Sequence, residues 1–93
     1  MSKIVNNYMQ NARPLRELCG YSQMYVAFKV GVSQSLYCKA ENGQIRPTLD
    51  LIERVCRLYN ISLADFLGKG KKELINQVTD SDVYKRNKEI QSE

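Results

Sequence analysis

The stretch "GVSQSLYCKAENG" (Gly31–Gly43) contains both the start and the end of one short helix. Ser33 is a residue type that caps helix N-termini with its side-chain oxygen. Asn42-Gly43 is typical of a helix end, because both residue types tolerate the left-handed backbone conformation. Gly31 permits a sharp turn just before the cap, and Val32 would point back into the angle between two helices. The stretch therefore predicts a tight turn followed by a short helix.

The predicted helix has short polar side chains opposite its apolar side. Tyr37 and Ala40 are three residues apart and predict the buried side. The other side, called the polar face below, has the spacing i, i+1, i+4, i+5 and consists of Gln34, Ser35, Cys38 and Lys39. Alone, such a stripe is typical of a solvated helix surface. It also suits the DNA major groove, where Gln pairs with adenine, Lys with guanine, and Ser donates or accepts a hydrogen bond.

The rest of the chain predicts further short helices and no strand. The expected starts are Asn11, Ser22, Ser33, Thr48 and Ser62, and the expected ends are Gly20, Gly31, Asn42-Gly43, Asn60 and Gly68. Apolar residues expected to face a common core are Val26, Ala27 and Val30 in the second helix, Leu49, Ile52, Val55, Cys56 and Tyr59 in the fourth, and Ile61, Leu63, Phe66 and Leu67 around the fifth. The second and third helices, joined by "GVS", predict a helix-turn-helix.

These elements predict an all-α fold, a compact five-helix domain over residues 8–68 with a C-terminal extension over residues 69–93. In the extension, Leu74, Ile75 and Val78 are compatible with one face of a short sixth helix over residues 71–78. The segment that follows has few large apolar residues and predicts a flexible tail, because it cannot offset its ordering entropy.

Charge is distributed unevenly along the 93 residues, although the net charge is only +4. Residues 1–46 carry six basic and two acidic side chains, whereas residues 47–93 carry eight of each. The excess positive charge therefore lies in the half that holds the polar face. This asymmetry favours a polyanionic partner on that side.

Several function classes have little support in the sequence. Three widely spaced cysteines without histidine or a C-x-x-C pair argue against a zinc site and indicate reduced, structural thiols. No phosphate-loop glycine pattern occurs, and we expect no cofactor, metal or catalytic residue. Asp50 and Glu53 lie at i, i+3 and offer an enzymatic alternative, but a solvated helix face explains them better. No apolar run would span a membrane and no signal peptide is evident, so we expect a cytoplasmic protein.

The segment "LRELCGYSQMYVAFKVGVSQSLYCKAENGQIRPTLDLIERVCRLYNISLADFL" (Leu15–Leu67) resembles the phage-repressor and Cro-like helix-turn-helix family, also called Xre-type. The pieces that carry the resemblance are Ser22-Gln23, Val26-Ala27, Gly31-Val32-Ser33, Glu41-Asn42-Gly43, Pro47-Thr48-Leu49 and Ile61-Ser62-Leu63. The resemblance implies a lambda-repressor-like DNA-binding domain, commonly dimeric, that regulates transcription. The chain departs from the family in having Met24-Tyr25 where acids are usual, a bulky Tyr37, and a cysteine on the polar face.

Site roles follow from this resemblance. Gln34, Ser35 and Lys39 match base-contacting positions, with Cys38 as a neighbour. Residues matching phosphate-contacting positions, or adjoining them, are Ser22, Gln23, Asn42, Gln44 and Arg46. Arg16 and Glu41 match a structural ion pair between the first helix and the end of the recognition helix.

The sequence thus predicts a sequence-specific regulator of bacterial or phage type. It would bind double-stranded DNA as a homodimer on a near-palindromic operator through residues 33–42. The alternative is an antitoxin-like or other protein-interaction module whose residues 71–93 bind a partner protein. Oxidation of Cys38 would alter the polar face, although a small space-filling residue is the simpler interpretation of that cysteine.

Overall fold

The computed structural model describes residues 8–80, and this part of the chain is helical with no strand. Its six helices are α1 (Ala12–Cys19), α2 (Gln23–Val30), α3 (Gln34–Glu41), α4 (Leu49–Tyr59), α5 (Leu63–Gly68) and α6 (Lys71–Thr79). The predicted all-α fold is confirmed, including the short sixth helix. The flexible tail was predicted to begin at Thr79, which is instead the last residue of α6; residues 81–93 of that predicted tail lie outside the described residues. Within residues 8–80 no helix is both long and apolar enough to cross a bilayer.

Four of the helices begin at the predicted capping residue. The side-chain oxygens of Ser22, Ser33, Thr48 and Ser62 each accept a hydrogen bond from the backbone N–H three residues later, at 3.0–3.1 Å. Each such cap contributes about 1 kcal/mol, because it satisfies an N–H that the helix itself leaves without a partner. Local side-chain chemistry therefore sets where α2 to α5 start.

Asn11 precedes α1 as predicted, but its side chain does not cap that helix. Its Nδ2 instead donates to the backbone oxygens of Phe66 at 2.9 Å and Lys69 at 3.1 Å. These carbonyls lie at the C-terminal end of α5, where helical carbonyls lack an intrahelical partner. The expected capping role of Asn11 is thus wrong, and its amide ties the start of α1 to the end of α5.

Most predicted apolar positions are buried, Leu63 and Ile75 are partly buried, and two are exposed. Leu49 and Leu67 were expected in the core but are 59% and 42% exposed. In α4 the buried stripe includes Leu51, which is 5% exposed, so that Leu49 in the first turn falls outside it. Neighbouring helical residues project in different directions, and the burial of Phe66 likewise turns Leu67 outward.

The sixth helix shares the common core. Leu74 and Val78 are fully buried, and α6 packs against α1. Gln77 joins α6 to the end of α5, because it accepts a hydrogen bond from Lys69 Nζ at 3.1 Å and donates to Asp65 Oδ2 at 3.2 Å. The domain boundary at residue 68 remains a prediction, but α6 contributes to the same hydrophobic core as the first five helices.

The three cysteines are reduced and occupy two kinds of environment. Cys19 and Cys56 are buried, and burial raises the pKa of each thiol to about 11. At neutral pH both are therefore protonated and unreactive. Cys38 is only half-buried, on the outer side of α3.

Candidate nucleic-acid interface

The turn between α2 and α3 depends on Gly31. Its backbone has φ +79°, and its N–H donates to the Phe28 oxygen while the N–H of Val32 donates to the Ala27 oxygen at 3.0 Å. A Cβ at Gly31 would lie 3.0 Å from Arg54 Nη1, which itself donates to the Val30 oxygen at 2.9 Å. The backbone conformation therefore favours glycine, and a Cβ would in addition have to displace the tip of the Arg54 side chain. The turn places α3 against α2 and leaves its outer side uncovered.

The two sides of α3 differ as predicted. Tyr37, Ala40 and Glu41 are buried, whereas Gln34, Ser35 and Lys39 are exposed and Cys38 is half-buried. Within residues 8–80 no side-chain hydrogen bond or ion pair engages the exposed members of this polar face. Their donors and acceptors therefore face solvent and can bind an external group.

The buried side of α3 is held by a group of four residues, called the Glu41 cluster: Arg16, Gln23, Tyr37 and Glu41. Arg16 donates to Glu41 through Nε at 2.9 Å and Nη2 at 3.0 Å, a bidentate geometry. The Tyr37 hydroxyl donates to Glu41 Oε2 at 2.7 Å, and Gln23 Nε2 donates to Oε1 at 3.1 Å. Arg13 adds a longer ion pair at 3.6 Å. The carboxylate therefore connects α1, α2 and α3.

Electrostatics keep this carboxylate charged. Burial acts to raise the pKa of Glu41, but the hydrogen bonds from Arg16, Tyr37 and Gln23 outweigh it and hold that pKa below its ordinary value. The bond to Glu41 also raises the pKa of Arg16. Since the Glu41 side chain is only 1% exposed, loss of Arg16 would leave a buried charge and cost about 3–5 kcal/mol. The cluster thus fixes the orientation of α3 in the domain.

The residues predicted to contact phosphates lie at the start of α2 and around the end of α3: Ser22, Gln23, Asn42, Gln44 and Arg46. The Ser22 hydroxyl accepts the capping hydrogen bond of α2. Gln23 gives one of its two amide N–H donors to Glu41, so the start of α2 lies beside the end of α3. Asn42 Nδ2 contacts the Cys38 sulfur at 3.4 Å, and the two loop residues are exposed. Their contacts with DNA remain predictions.

Sequence reasoning missed part of this surface. Leu36 on α3 is 40% exposed, and Met24 and Phe28 on α2 are 63% and 79% exposed. Leu36 lies four residues before the buried Ala40, on the same side of the helix, so apolar spacing alone did not indicate its exposure. The link from Tyr37 to Glu41 was also missed, although its i, i+4 spacing allows the contact.

Comparison with known proteins identifies the chain's relatives. The antitoxin PezA of Streptococcus pneumoniae serotype 4 is 31% identical over 71 residues, which cover 76% of this chain and 44% of that protein. The chain thus spans less than half the length of this curated relative. No solved structure matches the chain significantly.

The helix-turn-helix family model matches residues 14–66, more than half of the chain. This range contains the whole of α2, its glycine turn and α3, together with α4 and the Glu41 cluster. The match and the geometry of these helices agree, and the chain belongs to the helix-turn-helix family.

Proposed function

We propose that this chain is a sequence-specific, double-stranded DNA-binding transcriptional regulator of bacterial or phage type. The observation that carries the proposal is the asymmetry of α3, whose polar face is exposed while the Glu41 cluster fixes its other side. The major groove admits one helix, and a firmly held helix can present side chains to base edges with little loss of entropy. Membership in the helix-turn-helix family supports DNA binding.

In this proposal the polar face contacts bases. Gln34 would bond adenine, Lys39 would reach guanine, and Ser35 would donate to or accept from a neighbouring base edge, with Cys38 beside them. Phosphate contacts would come from the caps and loop on either side of this face, the residues Ser22, Gln23, Asn42, Gln44 and Arg46. The net positive charge of residues 1–46 supports the same partner.

The regulator would act as a homodimer on a near-palindromic operator. Two copies of α3 would enter successive major grooves, about 34–36 Å apart. A two-fold protein axis would then coincide with the symmetry of the DNA site.

A selection from random duplex oligonucleotides with the purified chain tests the proposal. We expect an enriched near-palindrome, to which Gln34→Ala and Lys39→Ala each bind more weakly by about 1–3 kcal/mol, with a smaller effect on random DNA. The free energy of unfolding of both variants should lie within about 0.5 kcal/mol of the parent value, because these side chains are exposed. Arg46→Ala should weaken all sequences and reduce the salt dependence. No enrichment, or unchanged binding by both polar-face variants, would refute the assignment.

A second candidate function is that of an antitoxin-like module whose residues 71–93 bind a partner protein. The similarity to a protein named as an antitoxin favours it. Because Leu74 and Val78 are buried, deletion from Lys71 would expose the core. Removal of residues 81–93 is the better test. A stoichiometric protein that copurifies with the full chain and is lost with this deletion would support the candidate, and the absence of any stoichiometric protein from the purified full chain would contradict it.

A further inference from the structure

The outer side of α2 is largely apolar, whereas the outer side of α3 is polar. Met24, Tyr25, Phe28 and Lys29 lie at i, i+1, i+4 and i+5, the spacing that also defines the polar face. All four are exposed, and Phe28 is the most exposed large apolar side chain within residues 8–80. Single exposed apolar residues are ordinary, but three on one helix face form a patch of the kind that binds another protein. These four residues are called the α2 face below.

A cleft adjoins the α2 face at the C-terminal end of the helix. It is lined by Lys29, Val30, Gly31, Arg54, Arg57 and Leu58. Three of these residues are basic and none is acidic, so it is called the basic cleft below. Its volume is about 490 Å³, and a cavity of about 150 Å³ already accommodates a benzene ring. The basic cleft therefore has room for more than one side chain of a partner, and Lys29 makes it continuous with the α2 face.

Two of the three cations in the basic cleft are available to an external anion. Arg54 is engaged, because its Nε pairs with Asp50 Oδ2 at 3.0 Å. Within residues 8–80 neither Lys29 nor Arg57 forms an ion pair or a side-chain hydrogen bond, and Glu53, one turn before Arg57, does not pair with it. Unpaired positive charge thus lies directly beside an exposed apolar face.

This combination favours a protein helix over the DNA backbone as the occupant. A phosphate backbone would complement Lys29 and Arg57 but would gain little from contact with Met24 and Phe28. An amphipathic helix complements both surfaces, because its apolar stripe can pack on the α2 face while acidic residues at the edge of that stripe meet the two cations. None of the residues assigned to bases or phosphates lines the basic cleft.

We propose that the α2 face and the basic cleft together bind an acidic amphipathic helix of a partner protein. Met24 and Phe28 would be buried under its apolar stripe, and its carboxylates would pair with Lys29 and Arg57. The inference goes beyond the proposed DNA binding and does not depend on it. It also differs from the antitoxin-like candidate, in which residues 71–93 bind the partner.

A synthetic peptide tests the proposal on the full chain. The probe is a helical peptide of about 16 residues with leucine at i, i+3, i+4 and i+7 and glutamate on both flanks of this stripe. The control peptide has lysine in place of every glutamate. In NMR titrations of the isotope-labelled chain, the glutamate peptide should shift the amide signals of residues 24–29 and of Arg57, and rising salt should weaken its binding. No binding, or equal binding of both peptides, would refute the inference.

Matched variants test whether the peptide binds at this surface. Phe28→Ser should weaken binding of the glutamate peptide by about 10- to 100-fold, because the contact of a large apolar side chain is lost. Leu49→Ser, at an exposed leucine outside the surface, should leave it unchanged. Arg57→Gln should weaken binding by about 2- to 5-fold, and Lys72→Gln, the same charge change on α6, should not. Equal effects within each pair would overturn the assignment.

Two other occupants of the surface would give different results. If Phe28→Ser abolishes a self-association of the parent in sedimentation equilibrium, a second copy covers the surface and the proposal is wrong. If Phe28→Ser and Arg57→Gln weaken binding of duplex DNA as much as they weaken binding of the peptide, the surface belongs to the DNA interface and the proposal is equally wrong. Parent-like DNA binding by both variants, together with their loss of peptide binding, would support it.

Discussion

Removal of one hydroxyl group from the Glu41 cluster should weaken the whole domain. Tyr37 is fully buried, and burial followed by its bond to Glu41 raises the pKa of its phenol, so the hydroxyl keeps its proton and donates it at 2.7 Å. Tyr37→Phe deletes this bond and preserves the ring. Because the acceptor is charged, the expected loss in the free energy of unfolding is about 1.5–3 kcal/mol. Glu41 would retain both bonds from Arg16 and the bond from Gln23.

Tyr59 provides the matched control in the same core. It is equally buried, but within residues 8–80 its hydroxyl has no hydrogen-bond partner. A buried polar group without a partner lowers stability, so its removal should cost nothing or stabilise the fold by about 1 kcal/mol. Tyr37→Phe and Tyr59→Phe delete the same atom, and their difference isolates the bond to Glu41.

Urea unfolding followed by circular dichroism at 222 nm, the helical band, would measure the free energy of unfolding of both variants, and thermal unfolding followed in the same band would measure their melting temperatures. For a domain of this size 1 kcal/mol corresponds to about 4–8 °C, so Tyr37→Phe should melt lower on the order of 10 °C. Tyr59→Phe should melt at or above the parent temperature. If the two variants lose the same stability, ring packing and not the bond to Glu41 determines the effect, and the reasoning is refuted.

Three further predictions concern the scaffold. The pKa of Glu41 is lower in the folded than in the unfolded chain, so its contribution to the free energy of unfolding is complete above about pH 4.3 and is lost as pH falls through the folded pKa. Urea titrations at successively lower pH should therefore show a larger loss of stability for the parent than for Glu41→Gln. Gly31→Ala should lower the free energy of unfolding by more than the roughly 1–2 kcal/mol of the left-handed conformation, because its Cβ also meets Arg54. Gly43→Ala, at φ +78° with nothing within 4 Å, should cost only that amount, and equal costs for the two variants would show that the Arg54 contact contributes nothing. Cys38 should react with Ellman's reagent in the native state, and the two buried thiols only at the unfolding rate; three fast thiols would contradict this environment.

Much of the fold was predictable because it follows from local chemistry. Ser33 and Gly31 act on residues within one turn of themselves, and their effects can be inferred without knowing the rest of the fold. The buried side of α3 was likewise predictable from Tyr37 and Ala40, since spacing alone assigns residues to a helix face. The opposite, exposed face then follows by exclusion.

The errors concern contacts between residues distant in the sequence. Asn11 bonds carbonyls 55 and 58 positions away, and nothing near it in the chain indicates that the α5 terminus lacks a donor. Leu49 satisfies an apolar period, but packing buries a stripe that includes Leu51 and leaves Leu49 outside it. The tie between Gln23 and Glu41 depends in the same way on the angle between helices. Local patterns determine which faces exist, whereas packing determines what covers each of them.

The arrangement of α3 separates stability from recognition. The side-chain hydrogen bonds that tie α3 to α1 and α2 converge on Glu41, at the end of its buried side, while Gln34, Ser35 and Lys39 make no side-chain hydrogen bond within residues 8–80. Substitutions on the polar face can therefore change the proposed target sequence without weakening the fold. Tyr37 contributes to the same fixation, because its hydroxyl donates a hydrogen bond to Glu41 from within the same helix. The helix is thus tied to itself, to α1 and to α2, and its orientation in the domain does not depend on which side chains its polar face carries.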